Sequence, residues 1–244
     1  MAENCLSCNE VITGKYCSNC GQKAKLDRIN GHYIKHEIEH VLHLEKGIFY
    51  TVKELILRPG KTVRSFISEN RTRLVKPIIF VIVTSLIYSL LSHAFHVETS
   101  YISFQNTDGG SAVNYLDKWV NDHYGYSNLM MSIFIGLWIR LFFRNYDYNL
   151  YEILILLCFV MGVCMLVFSI ATVLQGLTHV SFYITGSVIF LIYATWAIGD
   201  FFDGSKKKNY FKALGAYLLG MLSFSFLVAF LGLFIDFLIK NFAA

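Results

Sequence analysis

The sequence predicts an all-α integral membrane protein in which a small cysteine-rich head precedes about five transmembrane helices. The 244 residues are 55% hydrophobic and only 16% charged, which is too apolar for an ordinary soluble domain of this length. Long apolar blocks begin after Pro77, whereas four of the six cysteines lie among the first 76 residues. We therefore divide the chain into a head (1–25), a juxtamembrane region (26–76) and a transmembrane domain (77–244).

The transmembrane domain contains five stretches that approach the roughly 20 apolar residues needed to cross a bilayer. They run approximately over residues 78–96, 126–143, 153–175, 180–199 and 213–239. Only GLTH separates the third stretch from the fourth, which predicts a tight helical hairpin. Ala216 and Gly220 stand four residues apart in the fifth stretch, and such small pairs predict close helix packing within the chain rather than dimerisation.

The distribution of basic residues predicts the orientation, because lysine and arginine are retained on the cytoplasmic side of a membrane. With the N-terminus inside, only Lys118 and Lys240 of the basic residues after Lys15 fall outside. The first ten residues, MAENCLSCNE, lack the basic start and apolar core of a signal peptide. We expect a cytoplasmic N-terminus, with the loop 97–125 and the C-terminus outside.

The head contains two CxxC pairs, CLSC at 5–8 and CSNC at 17–20. Four thiolates at this spacing can surround Zn²⁺ in a closed tetrahedral structural site, with a short hairpin at Val11–Tyr16 between the pairs. Two disulfides are the alternative, which a cytosolic head disfavours. The sequence thus predicts a zinc ribbon whose structural Zn²⁺ is bound by Cys5, Cys8, Cys17 and Cys20.

Four histidines lie at helical spacing in the juxtamembrane region, so on a helix they share one narrow stripe. They are His32, His36, His40 and His43. The string HEIEH has the form of the zinc-protease signature HExxH, in which His36 and His40 would bind metal and Glu37 would act as base. Three interpretations remain open: this catalytic site, a non-catalytic metal or pH-sensing site, and a solvated or packed polar face.

A cluster of cations precedes the first predicted span, after Pro59 and Gly60 break the chain between two amphipathic segments. Its members are Arg58, Lys61, Arg64, Arg71, Arg73 and Lys76. Anionic lipid headgroups attract such juxtamembrane clusters, so we expect these residues to face lipid. Recognition of a specific lipid or of a phosphorylated ligand is the alternative.

Several of these motifs occur together in one order, namely YCSNCGQK, then HEIEHVLHLEKGIFYTVKELILRPGKTVRSFI, then ENRTRLVKP before an apolar helix. In this order, over roughly residues 1–95, the chain resembles the bacterial membrane-protein family named domain of unknown function 3667. The resemblance implies a zinc-ribbon head on a polytopic domain in the bacterial inner membrane. It supplies no activity.

From these features we expect a non-enzymatic sensing, docking or regulatory protein. A membrane-surface metallohydrolase that uses HEIEH and a small channel or transporter are the alternatives. No predicted span carries a central charge, which argues against an ion-coupled transporter. The expected partners are the bilayer with its anionic lipids and either a cytosolic protein or a second copy of the chain, and no nucleic acid is expected.

Overall fold

The computed structural model of the protein describes residues 3–4, 10–12, 14, 18–19, 47–69, 74–97 and 112–242. The chain forms two compact units, Met1–Glu45 and Lys46–Ala244. Several residues singled out from the sequence lie outside the described residues, so their predicted roles remain predictions. These are Cys5, Cys8, Cys17, Cys20, His32, His36, Glu37, His40, His43, Arg71 and Arg73.

The first unit contains two short strands, β1 (Glu3–Asn4) and β2 (Val11–Ile12). They pair antiparallel, with Glu3 opposite Ile12 and Asn4 opposite Val11. The segment that connects them carries the first CxxC pair in its sequence. The hairpin predicted for Val11–Tyr16 lies for the most part outside the described residues.

Eight helices make up the described part of the second unit. They are α1 (Ile48–Leu57), α2 (Pro59–Ser68), α3 (Pro77–Ala94), α4 (Ala112–Asp122), α5 (Tyr124–Phe142), α6 (Leu150–Thr178), α7 (Tyr183–Asp203) and α8 (Lys207–Phe242). Proline occupies the first position of α2 and α3, where a backbone N–H group would have no partner within the helix and its absence therefore costs no hydrogen bond. At the start of α6, Asn149 and Glu152 form a capping box that satisfies two backbone N–H groups.

Five of these helices, α3, α5, α6, α7 and α8, are long and apolar enough to cross a membrane, which confirms the five predicted stretches. Their outward faces are apolar as well. On α3 the exposed residues Ile78, Ile82, Leu86 and Leu90 recur every four positions and form a continuous stripe. An apolar surface of this extent requires a hydrocarbon environment, so the bundle is that of a membrane protein.

The connection between α6 and α7 differs from the prediction by about one helical turn. Helix α6 continues through Gly176 to Thr178, and the chain leaves it at His179, whose φ of 58° is left-handed. The GLTH tetrapeptide is therefore helical over its first three residues. The helix continues because the side chain of Phe95 packs against Gly176 and the Thr178 hydroxyl donates to the Leu174 carbonyl at 2.7 Å.

Helix α6 lies at the centre of the bundle, since α3, α5 and α7 all pack against it. Helix α8 packs against α5 and α7. Ala216 is fully buried, and a Cβ at Gly220 would overlap the backbone of Ile135 in α5. The small pair of the fifth span therefore permits close packing within the chain, as predicted.

Contacts between segments that are distant in sequence show which helix ends lie together. They agree with five spans that run in alternating directions. At one end, the backbone N–H of Ala112 donates to Asp236 Oδ1 at 2.7 Å, so α4 and the end of α8 lie together. At the other end, α2 packs against the last turn of α7. Asp236 thus binds the N-terminus of α4, a favourable position for a carboxylate.

Candidate functional site

The strongest candidate for a functional site is the junction where the RPGK sequence meets the end of α7. Arg58 interrupts the helical path between α1 and α2 with an extended φ of −149°. Pro59 then begins α2 without needing a hydrogen-bond acceptor for its nitrogen. Gly60 follows as the second residue of the helix, where its backbone N–H has no partner within α2.

The backbone N–H of Gly60, which has no acceptor within α2, binds a carboxylate from α7 instead. It donates to Asp200 Oδ2 at 2.9 Å, across 140 positions of sequence. A Cβ at Gly60 would overlap the backbone of Asp200 and Phe201, so only glycine allows this approach. The negative charge of Asp200 also lies at the positive end of the α2 dipole, which stabilises the contact further.

Arg64, one turn further along α2, binds the same part of α7 through its positively charged guanidinium group. Its Nη1 atom donates to the carbonyl oxygen of Asp200 and, at 2.7 Å, to that of Phe201. These carbonyls belong to the last turn of α7, where acceptors lack partners within the helix. Arg64 was predicted to face lipid with its basic neighbours, but its guanidinium is bound to protein. Together, Gly60, Arg64 and Asp200 form what we term the junction latch.

Helix α1 is attached to the bundle by separate contacts. The Tyr193 hydroxyl of α7 donates to the Leu55 carbonyl at 3.1 Å. The Val75 N–H, just before α3, donates to the hydroxyl of the buried Thr51 at 3.2 Å. Both juxtamembrane helices are therefore fixed to the spanning helices rather than lying free on a membrane surface.

The rest of the junction surface is basic and exposed. Arg58, Lys61 and Lys76 of the predicted cluster are exposed, as are Lys206, Lys207 and Lys208 beside the end of α7. Asp203 holds Lys206 at 2.9 Å and raises the pKa of its ammonium group through this hydrogen bond. The surface can therefore attract anions.

The sequence did not single out Asp200. The signal was present, because Asp200 is an acid at the predicted cytoplasmic end of an apolar helix, within the string WAIGDFFDG. Its partner could not be read from the sequence, since the contact depends on how α2 packs across α7. Within the described ranges, no group of three or more His, Cys, Asp and Glu side chains is placed to hold a metal ion.

The comparisons with known proteins bear on the same segment. Residues 45–89 match the model of the family described as Protein of unknown function (DUF3667), which confirms the resemblance noted from the motifs. The matched segment contains α1, α2, the RPGK turn and most of α3. No curated protein and no solved structure matches the chain.

Proposed function

Because the family-matched segment is the part that is fixed to the bundle, we propose that this protein is a non-enzymatic sensing, docking or regulatory protein of the cytoplasmic membrane. In this proposal a zinc-binding cytoplasmic head acts through the juxtamembrane helices on the membrane domain. The observation that carries it is the junction latch, in which the Asp200 carboxylate binds Gly60 while Arg64 binds the end of α7.

The latch supports a regulatory role because each helix supplies a side chain that binds the backbone of the other. A shift of α2 away from α7 would break the Gly60–Asp200 bond and both bonds of Arg64 at once. Such a contact has two discrete arrangements, made or broken, as a switching element requires. The exposed cations beside it supply a surface for anionic lipid headgroups or for an acidic partner protein.

The head is proposed to bind one structural Zn²⁺ through Cys5, Cys8, Cys17 and Cys20. Support comes from the pairing of β1 with β2, which brings together the chain immediately before Cys5 and shortly after Cys8. A small unit with little apolar core gains its folding free energy from such a metal. The loss of zinc would therefore change the head first.

The proposal assigns no chemistry to His36, Glu37 and His40. A catalytic zinc needs three converging protein ligands, an open position and a cleft for the substrate, whereas one helix face offers only a row of side chains. Glu37→Gln should therefore preserve the cellular phenotype of the protein. Loss of that phenotype with bound metal and protein level unchanged would contradict this assignment.

Hydrogen exchange in the full-length protein can test the coupling between head and membrane domain. Zinc removal by a chelator should accelerate exchange in α2 and in the last turn of α7. The response at α7 should be lost in Asp200→Asn, where a neutral amide replaces the carboxylate. Asp203→Asn is the matched control, because this acid lies at the same helix end but binds Ser205 and Lys206.

Two results would argue against the proposal. In the first, zinc removal leaves exchange at the end of α7 unchanged in the wild-type protein. In the second, Asp200→Asn and Asp203→Asn respond to the chelator in the same way as the wild type.

A further inference from the structure

A lateral groove opens between α3 and α5 at the end of the bundle that carries the junction. In the other half of the bundle these two helices touch, through Ser85 and Asn128 at 3.4 Å and through the rings of Tyr88 and Tyr124 at 4.8 Å. Nearer the junction, Ile78 and Ile79 of α3 and Leu129 and Ile133 of α5 line a space between the two helices. The space between them is a groove of about 890 Å³.

The walls and the floor of the groove are aliphatic. Helix α6 supplies the floor, α3 and α5 supply the walls, and Phe66 and Ile67 of α2 also line the groove. The main apolar lining residues are Ile78, Ile79, Leu129, Ile133, Leu154 and Ile155. The volume lies within the roughly 300–1,000 Å³ that is typical of small-molecule sites.

The groove is open towards the bilayer. Ile78 and Ile133 on its rim are 57% and 46% exposed, and both belong to helices that span the membrane. A hydrocarbon chain can therefore enter sideways without crossing water. A polar solute would have to leave water for an apolar wall that offers few hydrogen bonds.

The mouth of the groove carries a positive charge. Lys76 lines it immediately before α3 and is exposed, and its ammonium group makes no hydrogen bond or ion pair with any described residue. Glu152 is the acid nearby, and its carboxylate already accepts the Asn149 N–H at 2.8 Å at the positive end of the α6 dipole. Lys76 is thus available to a ligand, at the depth where phospholipid headgroups lie.

We propose that this groove is a binding site for an anionic glycerophospholipid, with an acyl chain between α3 and α5 and the phosphate at Lys76. Apolar walls, lateral access and the Lys76 ammonium group at the mouth all fit this occupant. The proposal assigns the head no part in this site, and its test measures lipid crosslinks rather than the response to a chelator, so its failure can be distinguished from that of the proposed function. One lysine near a membrane surface corresponds to about a fivefold preference for an anionic over a zwitterionic lipid.

Photo-crosslinking of the full-length protein in phosphatidylcholine nanodiscs tests this site. The probe is phosphatidylglycerol with a diazirine in its acyl chain, present at a low mole fraction. Crosslinks should concentrate in residues 76–79, 129–133 and 151–158. Unlabelled phosphatidylglycerol should compete about fivefold better than added phosphatidylcholine.

Two variants with matched controls locate the two ends of the lipid. Ile133→Trp should fill the groove and remove these crosslinks, whereas Ile82→Trp, on the exposed stripe of α3 outside the groove, should leave them in place. Lys76→Gln should abolish the preference for phosphatidylglycerol, whereas Lys61→Gln should not. Since Lys76 is exposed, this second arm remains informative even if Ile133→Trp does not fold.

Crosslinks spread evenly over the exposed faces of the five spanning helices would overturn the proposal. Equal competition by phosphatidylcholine would do the same, as would an unchanged lipid preference in Lys76→Gln.

Discussion

At the scale of single residues, the contact between α2 and α7 requires the absence of a side chain at Gly60. The backbone of Asp200 occupies the place where a Cβ would lie. Gly60→Ala must therefore push α2 away from α7, and overpacking of this kind costs about 1–3 kcal/mol. We expect a lower thermal unfolding midpoint in detergent and faster hydrogen exchange in α2.

Gly125→Ala is the control for this variant. Gly125 is also helical, but a Cβ there would meet only the Cβ of Ser85 at an ordinary 3.7 Å. Alanine favours helix over glycine, so this variant should be neutral or slightly stabilised. If both variants unfold at the same temperature as the wild type, the close approach at Gly60 does not contribute to stability.

Asp117 in α4 gives a prediction about pH. Its Oδ1 atom is buried and has no hydrogen-bond partner among the described residues, and burial raises the pKa of the carboxyl above its ordinary 3.8. The folded state thus holds this proton more tightly than the unfolded state, so ionisation lowers stability as the pH rises above 3.8. Asp117→Asn should therefore unfold at a higher temperature than the wild type at pH 7, and the difference should shrink as the pH falls towards 4.

Asp122→Asn provides the comparison, because Asp122 is exposed at the end of the same helix. It should leave the unfolding midpoint unchanged at both pH values. A stabilisation by Asp117→Asn that persists at pH 4 would show that its cause is not the ionised carboxylate.

At the scale of helices, the contact between α2 and α7 depends on how one guanidinium reaches two carbonyl groups. Arg64→Lys keeps the charge but loses the planar donor that spans the carbonyls of Asp200 and Phe201. We expect faster exchange in the last turn of α7, with a loss of stability of about 1–3 kcal/mol, as for hydrogen bonds to a charged group. Lys61→Gln, an exposed change in the same helix, should have no such effect. Equal exchange in both variants would contradict this prediction. It would show that the planar shape of the guanidinium is not what holds the two helices together.

The helices also show which structural features can be predicted from periodicity and composition. Runs of about 20 apolar residues identified all five spanning helices, because the bilayer imposes that length on any sequence. The break at Pro59 and Gly60 was also predicted, since proline and glycine act locally. The end of α6 was misplaced, because Gly176 does not end the helix but packs against Phe95 within it. Asp200 was missed for the same reason, as its role comes from a neighbour that is distant in sequence.

At the scale of the whole molecule, the contacts between helix ends show which ends lie on the same side of the bundle, and this makes the predicted topology testable. The Ala112–Asp236 bond places α4 and the end of α8 on one side, and the latch places α2 and the end of α7 on the other. With the N-terminus inside, a membrane-impermeant maleimide applied to intact cells should label Lys118→Cys and Asn241→Cys. It should label Ser205→Cys only after permeabilisation.

These three positions are exposed, whereas the native Cys158 and Cys164 are buried in α6, so labelling from the spans should be low. Labelling of Ser205→Cys in intact cells would reverse the orientation. Labelling of Lys118→Cys without Asn241→Cys would instead contradict the shared side of α4 and the end of α8.

The division of the chain into two units predicts that metal loss unfolds only one of them. The membrane domain has its own core around α6, in which Leu156, Phe159 and Met161 are fully buried. The sequence of residues 1–25 contains few large apolar side chains, so the fold of the head should depend on the proposed Zn²⁺. We therefore expect Cys17→Ser to unfold residues 1–25 while the helical content of the membrane domain is retained.

Elemental analysis of the purified full-length protein should find about one zinc per chain in the wild type and in Cys158→Ser, but none in Cys17→Ser, because a closed structural site needs all four thiolates. Circular dichroism of the same samples should show the helical signal preserved in all three. A second equivalent of zinc that is lost in His40→Ala but retained in Cys17→Ser would show that the histidine stripe is also a metal site. A wild-type protein that contains no metal, or an iron chromophore in place of zinc, would refute the zinc ribbon.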